Sequence, residues 1–207
     1  MTRIKICGVT SVEQAVACIE LGADALGVNF VDSSPRCVDV GTARTIALAI
    51  GNRALIVGVV ADLSVAAMRA LVTATRVGCL QLHGDEPAED VATLLPHAYK
   101  AIRVASEEDV RRAQSMPGEF VMVDAKVAGV LGGSGHLVDW SLVKGLAKRR
   151  KLVLAGGLTA ENVAAAVTSV RPWCVDVASG VEVSPGVKDL AKVKAFVEAV
   201  RAAGVWP

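Results

Sequence analysis

Leu154-Ala155-Gly156-Gly157-Leu158, followed one helix later by Ala178-Ser179-Gly180-Val181-Glu182, decides the reading of this chain. Both segments continue short apolar runs of buried-strand type. A glycine turn at a strand end lets several backbone N–H groups converge on a small anion, because no Cβ stands in the way. In barrels of alternating strands and helices, the loops after the seventh and eighth strands form such a phosphate site. The feature therefore points to a fold and to a ligand class: a sugar phosphate held by Gly156, Gly157, Ser179 and Gly180.

Working outward, six further apolar runs precede these two. The expected strands are Arg3–Cys7, Ala25–Phe30, Ala54–Val60, Cys79–Leu82, Tyr99–Val104, Phe120–Asp124, Leu152–Ala155 and Cys174–Ala178. Their starts are about 20–32 residues apart, room for one helix between each pair, which is the pattern of a parallel sheet. An open doubly wound sheet usually has five or six strands, so eight favour closure. The expectation is an α/β fold, a single (β/α)8 TIM barrel with one domain over residues 1–207. Helix signals agree: Thr10 and Glu13 have capping-box spacing, Gly22 suits a left-handed helix end, and Ser64, Ser106 and Thr159 read as N-caps. Pro87 suits a first helical turn.

Composition narrows the class. The chain has 207 residues, 53% of them hydrophobic and only 3% aromatic, so its core is built from Val, Ala, Leu and Ile, as packed parallel strands require. With 22 basic and 21 acidic residues, the formal net charge is +1, which offers no concentrated positive face for nucleic acid. The densest basic run, Lys148-Arg149-Arg150-Lys151, reads as a solvated helix end. Cys7, Cys18, Cys37, Cys79 and Cys174 are scattered without a C-x-x-C pair, which argues for free thiols in a reducing compartment. The first residues lack a signal-peptide apolar stretch, and the longest apolar run, Ala54 to Ala61, is too short for a bilayer. A cytoplasmic protein with no membrane partner is expected.

The topology predicts one shared pocket at the C-terminal ends of the strands. Polar or reactive groups there are Cys7, Arg36, His83, Asp124 and the two glycine turns. Six different units supply them, which is the main reason to expect an enzyme. Lys5 and Asp176 share the inward parity of Cys7 and Ala178. Since the first and last strands meet in a closed barrel, the two form a buried ion pair, contact a ribose hydroxyl, or tune Cys7. His97 and His136 offer no metal-ligand geometry with His83, so no metal is expected. Gly132-Gly-Ser-Gly135 lacks the lysine of a P-loop and reads as a flap over the substrate.

In this order, the residues resemble the phosphoribosylanthranilate isomerase family of tryptophan biosynthesis. The matching stretches include Lys5-Ile-Cys-Gly-Val-Thr10, Ser34-Pro-Arg36, Gln81-Leu-His-Gly-Asp-Glu86, Val123-Asp-Ala125, Asp139-Trp140, Ala155-Gly-Gly-Leu158 and Ser179-Gly-Val-Glu182. The likeness covers nearly the whole chain. It implies a cofactor-free Amadori rearrangement of N-phosphoribosylanthranilate to carboxyphenylamino-deoxyribulose phosphate, by a monomer or homodimer. It also implies Cys7 as general base, Asp124 as general acid and Arg36 as the residue that recognises the anthranilate carboxylate. Cys37, Val60-Ala61-Asp62 and Ala178 depart mildly from the family pattern. The related histidine-pathway isomerase would place an aspartate where Cys7 stands; a barrel serving both pathways, or a phosphate-binding regulator, remains as a rival.

Each role carries a chemical requirement. An ordinary thiol is only a few per cent ionised near neutral pH, so a cysteine base needs positive charge beside it. A carboxylic general acid must keep its proton near neutrality. The planar fork of Arg36 suits two-point capture of a carboxylate, which lysine imitates poorly. His83 and Asp176 are expected to contact substrate or orient a catalytic group.

Overall fold

Eight parallel strands close on themselves in chain order: β1 (Arg3–Cys7), β2 (Ala25–Asn29), β3 (Leu55–Val60), β4 (Cys79–Leu82), β5 (Ala98–Arg103), β6 (Phe120–Asp124), β7 (Lys151–Ala155) and β8 (Cys174–Val177). This computed structural model describes residues 1–124 and 140–204. Closure is made by β1 against β8, with Lys5 opposite Asp176. The intervening helices are α1 (Val12–Glu20), α2 (Val40–Ile50), α3 (Val65–Thr75), α4 (Ala88–Leu94), α5 (Glu107–Ser115), α6 (Ser141–Ala147) and α7 (Val163–Val170). A short hairpin, β9 (Glu182–Ser184) with β10 (Val187–Lys188), and the long α8 (Leu190–Ala203) complete the chain. The expected barrel is present, with strand ends shifted by a residue or so.

Period-two alternation sorts the strand residues into two cores. Ile4, Ile6, Leu26, Val28, Leu80, Leu82, Val121, Val123, Leu152 and Leu154 face outward and pack with the helices in one continuous cluster. The other parity fills the barrel: Val57, Tyr99, Ala101, Met122, Val153, Ala155 and Cys174 form a smaller interior cluster. Toward the C-terminal ends the inward positions are mixed, with polar residues among the apolar ones. There the barrel carries Lys5, Gln81 and Asp176, all buried, and beyond them the residues of the pocket.

Several local expectations need correction. The N-cap of α1 is Ser11, whose hydroxyl accepts from Gln14 N; Thr10 instead donates to Gly186 O at 2.7 Å. The cap of α7 is Asn162, whose Oδ1 accepts from Thr159 N at 2.9 Å, so Thr159 starts a turn before the helix. Both shifts, of one and three residues, arise where more than one nearby polar residue can start the helix. Ser64 and Ser106 cap α3 and α5, the latter in a full capping box with Asp109. Gly22 follows α1 at φ +105°, as expected, and Pro87 stands at the N-cap of α4.

The basic run is not uniformly solvated. Arg150 threads its guanidinium between α5 and β6 and donates to the carbonyls of Ala113, Gln114, Met116, Gly118 and Phe120 at 2.8–3.4 Å. It fastens the α5–β6 connection from below the barrel. No helix among the described residues is long and apolar enough to cross a membrane. The flap expected at Gly132–Gly135, His136 and the Asp139 end of one matched motif lie outside the described residues.

Candidate active site

A cavity of about 340 Å³ opens at the C-terminal end of the barrel. Cys7 enters it from the end of β1, His83 from just beyond β4, Asp124 from the end of β6 and Asp176 from β8, while Arg36 reaches in from the loop after β2. Gly156 and Gly157 after β7, and Ser179 and Gly180 after β8, form the part of its rim that lies between β6 and β1. The nine residues expected to move protons, bind substrate or hold phosphate thus line one cavity, although they are spread over 174 positions, while Lys5 lies below it. A wider cavity of about 580 Å³ adjoins it, sharing Asn29, Ser34, Val59 and His83, and is lined further out by Arg103 and Arg112.

The two glycine turns are built for close backbone approach. Gly156 and Gly157 sit at φ +103° and +63°, the left-handed half of conformational space that L side chains avoid. Gly180 lies in a 3-10 turn over Ser179–Val181, where a Cβ would run into the carbonyl oxygen of Leu158. The loop after β8 therefore runs close against the Leu158 backbone, and both glycine turns line the same cavity.

Below the pocket lies a buried polar layer. Lys5 Nζ donates to both carboxylate oxygens of Asp176 at 3.0 Å and to Gln81 Oε1 at 3.0 Å. Tyr99 donates its hydroxyl to the same Gln81 oxygen at 2.9 Å. The structure thus contains the buried ion pair expected from strand parity. Burial opposes the charge on Lys5, but Asp176, with help from Cys7 and Tyr99, outweighs it and raises the lysine well above its ordinary value.

Cys7 is half-buried directly above this layer. Burial pushes its thiol above the ordinary value; Lys5 pulls it down, Asp176 pushes it up, and Lys188 pulls weakly down. His83 is lowered, chiefly by burial, with Arg103 and Lys100 acting in the same direction against Asp124 and Asp176. It is therefore a neutral imidazole near pH 7. The Gln81 amide lies 3.3 Å from Nδ1; with the amide as donor, the ring proton stays on Nε2, free to face the cavity.

Arg36 is held more firmly than a loop arginine would be. Its Nε and Nη2 bind the two carboxylate oxygens of Glu182 at 2.9 and 2.6 Å. Glu182 is buried and also accepts from Lys188 at 2.8 Å. Arg36 crosses the backbone at Gly8, where a Cβ would collide with its Cδ. Nη1 makes no hydrogen bond among the described residues, so part of the fork remains available.

Reading the sequence missed Asn29, Val59, Gln81 and Met122, which also line the cavity. Strand parity was the available signal: Gln81 is two before His83, and Met122 two before Asp124. Glu182 and Lys188 carried no such signal, because they belong to a hairpin outside the barrel.

Comparison with known proteins matches this geometry. The sequence profile of the N-(5′-phosphoribosyl)anthranilate (PRA) isomerase family aligns with residues 4–199. A relative of that name from Pseudomonas paraeruginosa is 47% identical over 205 residues, covering 98% of this chain and 96% of its own. The crystal structure of phosphoribosyl anthranilate isomerase from Thermotoga maritima superposes with a TM-score of 0.90 at 37% identity, covering 98% of this chain and all of its own (100%). A phosphoribosyl anthranilate isomerase solved with reduced 1-(o-carboxyphenylamino)-1-deoxyribulose 5-phosphate gives a TM-score of 0.87 at 34% identity, with 98% and 100% coverage. Sequence and barrel geometry agree over almost the entire length, and the chain belongs to the N-(5′-phosphoribosyl)anthranilate isomerase family.

Proposed function

We propose that Cys7 and Asp124 carry the two proton transfers by which this family's Amadori rearrangement converts N-(5′-phosphoribosyl)anthranilate to 1-(2-carboxyphenylamino)-1-deoxyribulose 5-phosphate. The activity is that of a tryptophan-biosynthetic isomerase. Asp124 gives a proton to the furanose ring oxygen, the C1–O bond breaks, and the anilino nitrogen forms a protonated Schiff base. Cys7 as thiolate removes the proton from C2, and those electrons move into the C1–C2 bond as the iminium is neutralised. The resulting enolamine ketonises, gaining a proton at C1 and losing one from the C2 hydroxyl. Protons and electrons balance within the substrate, so this sequence of steps calls for no redox partner.

One observation supports these roles most directly: the Cys7 sulfur and the Asp124 carboxylate reach the same cavity of about 340 Å³ from β1 and β6. A substrate lying between them meets the acid on one side and the base on the other. Its phosphate falls to the N–H groups of Gly156, Gly157, Ser179 and Gly180. Arg36 takes the aromatic carboxylate with its remaining donors, His83 donates from Nε2, and Asp176 offers an acceptor edge to a ribose hydroxyl. The cationic Schiff base itself brings positive charge to Cys7, in the direction that favours the thiolate. In this reading the whole chain, 1–207, is a single cytoplasmic domain acting as monomer or homodimer.

Cys7→Ser and Asp124→Asn test the assignment. Each general acid or base step is worth about 100- to 10,000-fold, so each variant should lose at least about a hundredfold in kcat with its melting temperature nearly unchanged. Near-parental turnover in either variant removes that residue's role. Turnover of the histidine-pathway aminoimidazole substrate alone would overturn the substrate assignment.

A further inference from the structure

A half-buried cysteine above an ion pair could be merely packed there. The register argues for more. Gly27 is the β2 partner of Cys7 in the barrel. A Cβ at Gly27 would lie 2.7 Å from Cys7 Sγ and 3.0 Å from Lys5 Nζ. The missing side chain thus leaves one notch in the barrel wall, and the sulfur and the ammonium share it.

The ammonium cannot swing away. Three hydrogen bonds at 3.0 Å hold it to Asp176 and Gln81, and Tyr99 fixes the Gln81 oxygen from the other side. Lys5 is 2% exposed, so water screens this charge very little. We propose that Lys5 is a positioning residue for the reaction: seated with the Cys7 sulfur in the notch left by Gly27, its ammonium stabilises the thiolate form of Cys7. The proposal rests on the reading of Cys7 as the base and names what makes that base usable.

Other charges also surround Cys7. Asp176 faces it from β8, Lys188 donates from β10 to its backbone carbonyl, and Arg36 lies across Gly8. His83 and Asp124 face it across the cavity. The pull of Lys5 on the thiol is second only to burial and exceeds the push from Asp176. The pair as a whole therefore favours the thiolate, even though its formal charges cancel.

The test is the pH dependence of iodoacetamide alkylation at Cys7, followed by peptide mass analysis, which requires no turnover. Lys5→Met/Asp176→Asn removes both charges without stranding either one in the interior. Its alkylation midpoint should rise by about one pH unit, and the rising limb of kcat/KM should move with it. Asp176→Asn alone should shift the midpoint downward, whereas Lys5→Arg should leave it near the parent value. A structural ion pair predicts no such opposite shifts.

An unshifted midpoint in a folded double variant, confirmed by circular dichroism, would overturn the proposal even if the single variants fail to fold. The two readings separate cleanly. A shifted midpoint together with a fully active Cys7→Ser would sink Cys7 as base but leave the electrostatic coupling standing. An unshifted midpoint with an inactive Cys7→Ser would sink the role of Lys5 alone.

Discussion

Arg36 and Glu182 are joined by two parallel hydrogen bonds of 2.9 and 2.6 Å across 146 positions of sequence, and Lys188 binds the same carboxylate. The pair ties the loop after β2 to the hairpin after β8, so the rim of the pocket is stitched on both sides of β1. It also sets the attitude of the guanidinium, which lines the cavity, before any substrate arrives. Preorganisation of this kind lowers the ordering cost of binding.

Arg36→Lys keeps the charge and loses the fork. Its KM for phosphoribosylanthranilate should rise about 10- to 100-fold, the value of one charge-assisted hydrogen bond of about 1.5–3 kcal/mol. Inhibition by inorganic phosphate should change far less, because that anion presents no carboxylate for the fork to hold. Equal losses for both ligands, measured by steady-state kinetics, would count against the carboxylate contact.

Glu182 gives the rim an acid-labile component. Burial pushes its carboxyl up, but the hydrogen bonds from Arg36 and Lys188 together outweigh burial and hold it below its ordinary value of 4.5. A carboxyl depressed in the folded state binds fewer protons there than in the unfolded chain. Its stabilisation is therefore complete above pH 4.5 and is lost as pH falls through the folded value. Glu182→Gln should melt below the parent at pH 7, and the gap should narrow on acidification below that value. A gap independent of pH would contradict the linkage.

Gly180→Ala places a methyl group against the Leu158 carbonyl. Backbone cannot yield as a side-chain tip does, so the two loops must separate at a cost of about 1–3 kcal/mol. The expected result is weaker competitive inhibition by inorganic phosphate, with a smaller effect on the pH profile of kcat. Unchanged phosphate inhibition would show that this turn does not hold the anion.

Arg150→Ala probes the opposite face. Five backbone carbonyls lose their charged donor, at a cost of about 2 kcal/mol or more, or roughly 4–8 °C in Tm for a chain of this size. Turnover at temperatures well below melting should stay at the parent level. A thermal scan paired with a kcat measurement checks both halves.

The strands were legible because most are short runs rich in Val, Leu and Ile set between helix-length segments, a local pattern that needs no knowledge of the rest. Cys7, Asp124 and His83 were legible because the barrel sends every strand end to one face, whatever lies between. Caps were less so: Thr10 lies beside Ser11 and Thr159 three residues before Asn162, so the local sequence offers two starts for each helix. Arg150 was read as solvated because a run of four basic residues carries no sign of which one meets a row of carbonyls.

By itself, the sequence determined the barrel, the glycine turns at its rim and the residues sent toward the pocket, since alternation along strands and glycine turns at their ends are short-range properties. Only the tertiary structure decided how those groups are charged and held. The Lys5, Gln81 and Asp176 layer, the notch at Gly27 and the grip of Glu182 on Arg36 all depend on distances between residues far apart in the chain. Electrostatic and hydrogen-bond energies vary with separation and burial, and both are settled only when the strands close.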